Sequence, residues 1–166
     1  MIGVRKSEIP QAALTRSYVG RPGTRVDCYV AHTKCDVSLE AFVGSFYRGK
    51  LFGMERWLIE KVVGHGSSEA QLKSLLEREE ITFSAWTQIE RNADQLIMQD
   101  YQGRTCSWFM VEPHDTGTAL YFGSIIQPTD YLKRGEGLSK LIFTILLPVH
   151  GLYSRLLLGQ AAKRFR

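Results

Sequence analysis

The chain has 166 residues, 44% of them hydrophobic and 23% charged, with only three cysteines. These values fit one globular domain with its own core, and they exclude a disordered chain, a collagen, a disulfide-held miniprotein and a multi-pass membrane protein. The net charge of +4 is uneven: residues 1–25 hold five basic residues and one acid, 26–132 nine basic and fifteen acidic, and 133–166 seven basic and one acid.

An acidic middle argues against a nucleic-acid partner, which needs Lys and Arg gathered on one face with aromatics between them. Cys28, Cys35 and Cys106 lack the spacing of a disulfide framework. No apolar run of signal-peptide length occurs near the start, so a reducing, cytoplasmic setting is expected.

Residues 1–23 read as an irregular arm. Pro10 can open a short helix over 11–18, and Gly20, Pro22 and Gly23 then break the chain. Residues 24–33 alternate as a strand, with Val26, Cys28, Val30 and His32 on one side. Asp36 or Ser38 can cap a helix carrying Leu39, Phe42, Val43 and Phe46, with Glu40 close to a capping-box position. A second helix is predicted over 51–63, stopped by Gly64-His65-Gly66. A third, capped by Ser67 or Ser68, runs to about Arg78. Near residue 80 the apolar period changes from about 3.6 to about 2. Four strands follow over 81–90, 95–101, 104–112 and 118–127, in the close sequential spacing of an antiparallel meander. Gln102-Gly103 is a two-residue hairpin loop, and Pro128 ends the last strand.

Residues 136–166 form one long helical run. Leu138, Leu141, Ile142, Ile145, Val149, Leu152 and Leu156 make a stripe at three- and four-residue steps. Phe143, Leu146, Leu147, Leu157 and Leu158 lie off it, so burial on two sides is expected. Pro148 and Gly151 predict a kink or break near 147–151. From Leu141 to Ser154 fourteen residues pass without Lys, Arg, Asp or Glu. A membrane span needs about 20, so this is read as a buried core helix. Lys163, Arg164 and Arg166 close it, where cations meet the negative end of the helix dipole; an anionic lipid surface is the alternative.

The order gives an α+β fold. An antiparallel sheet of about five strands carries two or three helices after its first strand, and a long C-terminal helix covers its apolar face. The runs FYRGKLFGMERWLIEKV (46–62), DQLIMQDYQGRTCSWFMVEP (94–113), LYFGSIIQP (120–128) and LPVHGLYSRLLLGQAAKR (147–164) resemble an uncharacterised bacterial family attached to the START/Bet v 1-like, or SRPBCC polyketide cyclase, superfamily. The likeness covers roughly residues 24–166. It implies a single helix-grip domain over that range, with a hydrophobic cavity between the sheet and the C-terminal helix. It implies no catalytic set. The superfamily pattern has more strands than the five counted here, so a smaller sheet and a less enclosed cavity are expected.

Six residues are candidates to line that cavity. His150 and Tyr153 share a helix face, and His150 follows Pro148. The histidine can act as an acid–base or hydrogen-bonding group toward a ligand. The preferred reading is plainer, a side chain that satisfies carbonyls freed by the proline. Arg104 and Trp108 follow the Gly103 turn, and Asp100 facing Arg104 reads as a cross-strand pair that fixes register. Tyr121 and Ser124 flank Gly123, whose place in mid-strand signals a bulge or a close approach, with the C-terminal helix as the expected neighbour. Glu55-Arg56 reads as a pair anchoring the second helix, with a ligand carboxylate as the alternative partner for Arg56. His32, His65 and His114 lie on separate segments, so no metal site is expected. There is no phosphate loop, G-x-G-x-x-G or G-x-S-x-G, and no cofactor is expected.

The expected function is therefore binding of a small hydrophobic or lipid-like ligand by a non-enzymatic carrier or sensor, lined by Arg104, Trp108, Tyr121, Ser124, His150 and Tyr153. One alternative is a cyclase- or dehydratase-like enzyme using the same cavity. The other is a membrane-peripheral protein acting on an anionic surface through its basic C-terminal helix.

Overall fold

The computed structural model describes residues 3–64, 66–127 and 137–166; for 55, 56, 58, 59, 62, 63 and 137–149 it describes the backbone alone. Strand β1 is Arg5–Lys6, followed by a short 3-10 helix, Leu14–Tyr18, and by β2 (Arg25–Val26) and β3 (Tyr29–Thr33). Helices α1 (Leu39–Tyr47), α2 (Lys50–Val63) and α3 (Glu69–Leu76) come next. Then follow β4 (Thr82–Phe83), β5 (Trp86–Arg91), β6 (Gln95–Asp100), β7 (Thr105–His114) and β8 (Gly117–Ile126), and finally α4 (Gly137–Ala162). One antiparallel sheet has the order β1-β3-β8-β7-β6-β5-β4, with β2 also paired to β8.

The described sheet has eight strands, where about five were expected. The meander β5–β8 lies where the alternation placed it. The added strands come from three local events that break a period-2 pattern. The 24–33 strand splits at Asp27-Cys28 into β2 and β3. The 81–90 strand is a hairpin folded at Ser84-Ala85, with Ser84 at φ 54°, a conformation that a non-glycine residue rarely signals in sequence. And the arm contributes β1.

The helix starts follow their caps. Ser38 Oγ accepts the Ala41 N–H at 3.2 Å, and Ser68 with Gln71 makes a reciprocal capping box. Glu40 lies one place short of the capping-box position. Its carboxylate instead accepts from Arg91 at 3.0 Å and from Arg78 at 3.3 Å. Arg91 also donates to the Leu75 carbonyl at 2.9 Å, so one buried guanidinium ties α1, α3 and β5 together.

Alternation along β7 sends Phe109 to one face of the sheet and Trp108 to the other, and each face has its own cover. On the main face α1 lies over β7, α4 over β3 and β8, and α3 over β4. Phe46 of α1 stands 4.8 Å from the Phe109 ring and 4.7 Å from Phe122, so interlocked aromatics fill the centre of this layer. On the reverse face Cys28, Ile97, Cys106, Trp108, Met110 and Ile125 are covered by Ala13, with Leu14 and Tyr18 packed beside it. The arm, expected to be irregular, is thus a layer of the fold. It is fastened by Gln95, which is buried. Gln95 Oε1 accepts from the Leu14 N–H at 2.8 Å and from Trp108 Nε1 at 3.0 Å, and Nε2 donates to the Ala12 carbonyl at 2.8 Å.

Helix α4 runs without a break through Pro148 and Gly151, so of the kink or break expected there the break is absent. A proline removes one backbone hydrogen bond, and the turns on either side of it in a 26-residue helix keep the rest. Among the described residues no helix is long and apolar enough to cross a membrane. His65, Pro128 and the helix start at Glu136 lie outside the described residues.

Replacing Gln95 with Leu would leave the Trp108 and Leu14 N–H groups and the Ala12 carbonyl unpaired. Urea unfolding of Gln95→Leu should show a loss of about 3 kcal/mol or more. Limited proteolysis should cut the arm before the sheet opens. A variant as stable as the wild type, with a protected arm, would contradict the fastening role.

Candidate functional site

The site begins with a fault in a strand. Between β2 and β3, Asp27 donates its N–H to the Ser124 carbonyl at 3.0 Å, but its side chain takes the return bond: Oδ1 accepts the Ser124 N–H at 2.7 Å. The Cys28 carbonyl turns to the arm and accepts the Ser7 N–H at 2.9 Å. Gly123 is required by this crossing. A Cβ there would lie 2.3 Å from the Asp27 carbonyl oxygen and 3.1 Å from Trp108. The group that approaches Gly123 is the Asp27 backbone, where helix packing was expected.

The second Asp27 oxygen, Oδ2, faces α4, at 3.6 Å from His150 Nε2. That is an ion-pair separation and too long for a hydrogen bond. His150 Nε2 is therefore buried with no hydrogen-bond partner among the described residues, and so is Ser154 Oγ, one turn further along the same side of α4. The Tyr29 hydroxyl completes the group. A Cβ on Gly151 would come within 2.7 Å of it, so glycine is what lets the helix close over Tyr29. The Arg155 guanidinium stands 5.5 Å over the Tyr29 ring.

Burial pushes the Asp27 carboxyl above the usual carboxylate range, and the Ser124 hydrogen bond and the nearby His150, Lys6 and Arg25 only partly offset it. Burial raises Tyr29 as well, with the Asp27 charge acting in the same direction and Arg155 against it. Both shifts describe a low-dielectric seam. The His150 and Asp27 side chains are 29% and 22% exposed, although His150 Nε2 itself is buried. Asp27 also borders a surface hollow of about 340 Å3 shared with Lys6, Ile9, Arg16 and Val26.

The inward face of α4 corrects the apolar stripe read from the sequence. Ser154, Leu157, Leu158 and Ala161 are buried, and His150 lies on the same side, whereas Leu152 and Leu156 are 60% and 50% exposed. Of the predicted stripe only Leu152 and Leu156 have described side chains, and both face outward, while two of the inward positions are polar. The stripe between Leu138 and Val149, and the Glu55–Arg56 pair, lie where side chains are not described.

The six residues expected to line one cavity fall in three places. Ser124 and His150 meet through Asp27, and Tyr153 packs against the main core beside them. Trp108 and Tyr121 belong to the reverse face, their rings 6.3 Å apart. Trp108 is committed to Gln95. The Tyr121 hydroxyl donates to Glu112 at 2.9 Å, and burial and this bond push it up to about 12. Arg104 lies at the β6–β7 turn, where Asp100 Oδ1 accepts the Arg104 and Thr105 N–H groups at 2.7 and 3.0 Å. Asp27, Tyr29 and Ser154 were missed. The one signal for them was an aspartate that interrupts a strand pattern. His32 and His114, from separate segments, come together with rings 5.3 Å apart, and Arg5 reaches His32 at 3.2 Å. Among the described residues no three His, Cys, Asp or Glu side chains gather as a metal site.

No family model, no curated protein and no solved structure matches this chain. A histidine and a carboxyl group too far apart to satisfy each other can both hydrogen-bond a polar atom lodged between them, and can exchange a proton with it.

Asp27→Asn keeps the acceptor for Ser124 and removes the buried charge. Because folding raises this carboxyl's pKa, ionised Asp27 opposes folding. The cost is absent below about pH 4 and sets in as pH rises through the folded-state value. Asp27→Asn should therefore have a higher Tm than wild type at pH 7, and the two should converge in acid. A clear loss of stability at neutral pH would contradict it.

Proposed function

We propose that the chain binds a small, largely apolar molecule carrying one hydrogen-bonding group, as a carrier or sensor. The polar group would lie between His150, Asp27 and Ser154, and the apolar body along α4 against the sheet. The observation that carries this reading is the pair of buried, unsatisfied atoms His150 Nε2 and Ser154 Oγ one turn apart on the inward side of α4. Buried polar groups are nearly always paired, and unpaired ones mark strain or a bound partner.

A closing helix over an antiparallel sheet also supports the helix-grip relationship to the START/Bet v 1-like superfamily, which we propose on the sequence runs given above. One observation favours a second reading. A histidine and a raised carboxyl on facing elements suit a proton-transfer enzyme, such as a cyclase or dehydratase, working in the same seam.

The test is a fluorescence titration with Nile red, an uncharged apolar dye with one carbonyl acceptor. Binding is expected in the micromolar range once the cost of association is subtracted from the buried area. His150→Gln should weaken it about 10-fold, the value of one hydrogen bond to the dye's carbonyl, whereas Asp27→Asn, which removes an acceptor that the dye cannot use, should not weaken it. Trp108→Phe and Leu156→Ser should change it less than about 2-fold. Absence of binding, or sensitivity to Trp108 with none to His150, would overturn the assignment.

A further inference from the structure

We infer that α2 and the C-terminal half of α4 together form a surface that docks on an anionic lipid bilayer. Eight large hydrophobic residues are exposed among the described residues. Val19 and Tyr101 lie on separate turns and Ile81 and Ile89 flank one hairpin, whereas Met54 and Trp57 are on α2 and Leu152 and Leu156 are on α4. These two helices are joined. Gln160 Oε1 accepts the Leu51 N–H at 3.1 Å, and Arg164 donates to the Arg48 carbonyl at 3.4 Å. Leu156 is one turn before that junction on α4, and Met54 about one turn after it on α2. Half to two-thirds of each of the four side chains is open to solvent, which is more than scattered surface leucines need and is costly to leave in water.

The charges around this patch identify its partner. Residues 137–166 contain five basic residues and no acid, although residues 26–132 are net acidic. Arg155 stands between Leu152 and Leu156 in sequence, and it is exposed, as are Lys163, Arg164 and Arg166 beyond the helix end. On α2 the exposed Glu60 is adjacent to the exposed Lys61, so neither sign dominates there. Exposed leucines and a tryptophan flanked by cations that have no acidic neighbours on their own helix are the composition of an interfacial helix, which seats its apolar residues at the acyl boundary and its bases among anionic headgroups. A second copy of the chain would bring these bases against one another. The surface is also distinct from the seam, because Leu152 and Leu156 point away from the side that carries His150 and Ser154.

The experiment uses the full chain with vesicles of phosphatidylcholine alone and of phosphatidylcholine mixed with phosphatidylglycerol. Trp57 reports binding, since Trp86 and Trp108 are buried. The expected result is cosedimentation with the anionic vesicles, a blue shift of the tryptophan emission that Trp57→Phe abolishes, and steep weakening with added salt. The double variant Lys163→Gln, Arg166→Gln should bind on the order of 30-fold more weakly. Leu156→Ser should bind about 10-fold more weakly. Both should melt within a few degrees of wild type, because the altered side chains are exposed. Absence of binding at low salt, equal binding to neutral vesicles, or a dimer that shields Trp57 from a soluble quencher would overturn the proposal. Leu156→Ser separates this surface from the seam: it should weaken vesicle binding and leave Nile red binding unchanged.

Discussion

Helix α4 packs on the rest of the fold through small residues as well as through the buried Leu157 and Leu158. Gly151 sits against the Tyr29 hydroxyl, Ala161 and Ala162 enter the main core, and Ser45 of α1 donates to the Ala161 carbonyl at 2.9 Å. Close approach of this kind fixes the rotation of a helix about its own axis, because a larger side chain at any of these positions would force it away. The rotation decides everything that follows on α4. It turns His150 and Ser154 inward with unmet hydrogen bonds, and it turns Leu152 and Leu156 outward.

The sheet that receives this helix is buried on both faces, which is unusual for an antiparallel meander. Its reverse face owes that burial to the arm, and the arm is held by Gln95 together with the β1–β3 pairing. The same arrangement shapes the site. The arm's Ser7 takes the Cys28 carbonyl, which frees the Asp27 side chain to replace the ladder acceptor at Ser124 and to present its other oxygen to His150. The fault at Asp27 is thus stabilised from the reverse face and used on the main one. Burial of the carboxyl makes this costly, and a costly buried carboxyl beside a histidine suggests function.

Much of this was legible in the chain. The switch from helical to alternating period near residue 80 placed the β5–β8 meander, and Ser38 and Ser68 marked two helix starts. What was not legible has particular causes. The β4–β5 hairpin turns on Ser84 at positive φ, which no turn residue announces. The arm's place on the reverse face depends on long-range bonds from one glutamine. At the C-terminal end of α4 the inward positions include a histidine and a serine, so hydrophobicity alone favoured Leu152 and Leu156, which face outward. His150 could be named from its position after Pro148. Asp27 and Tyr29 could not be assigned to it, because the contact between them is made only when the β2–β3 fault and α4 come together.

The central claim is that the seam beneath α4 holds a polar-headed apolar ligand. The most direct measurement is an isotope-filtered nuclear Overhauser experiment on labelled protein with unlabelled Nile red. The account predicts cross-peaks from the dye to the Tyr29 ring and to the His150 imidazole, with Trp108 and Tyr121 silent. Cross-peaks confined to Trp57 and Leu156, or to Trp108 and Tyr121, with His150 unperturbed, would contradict it.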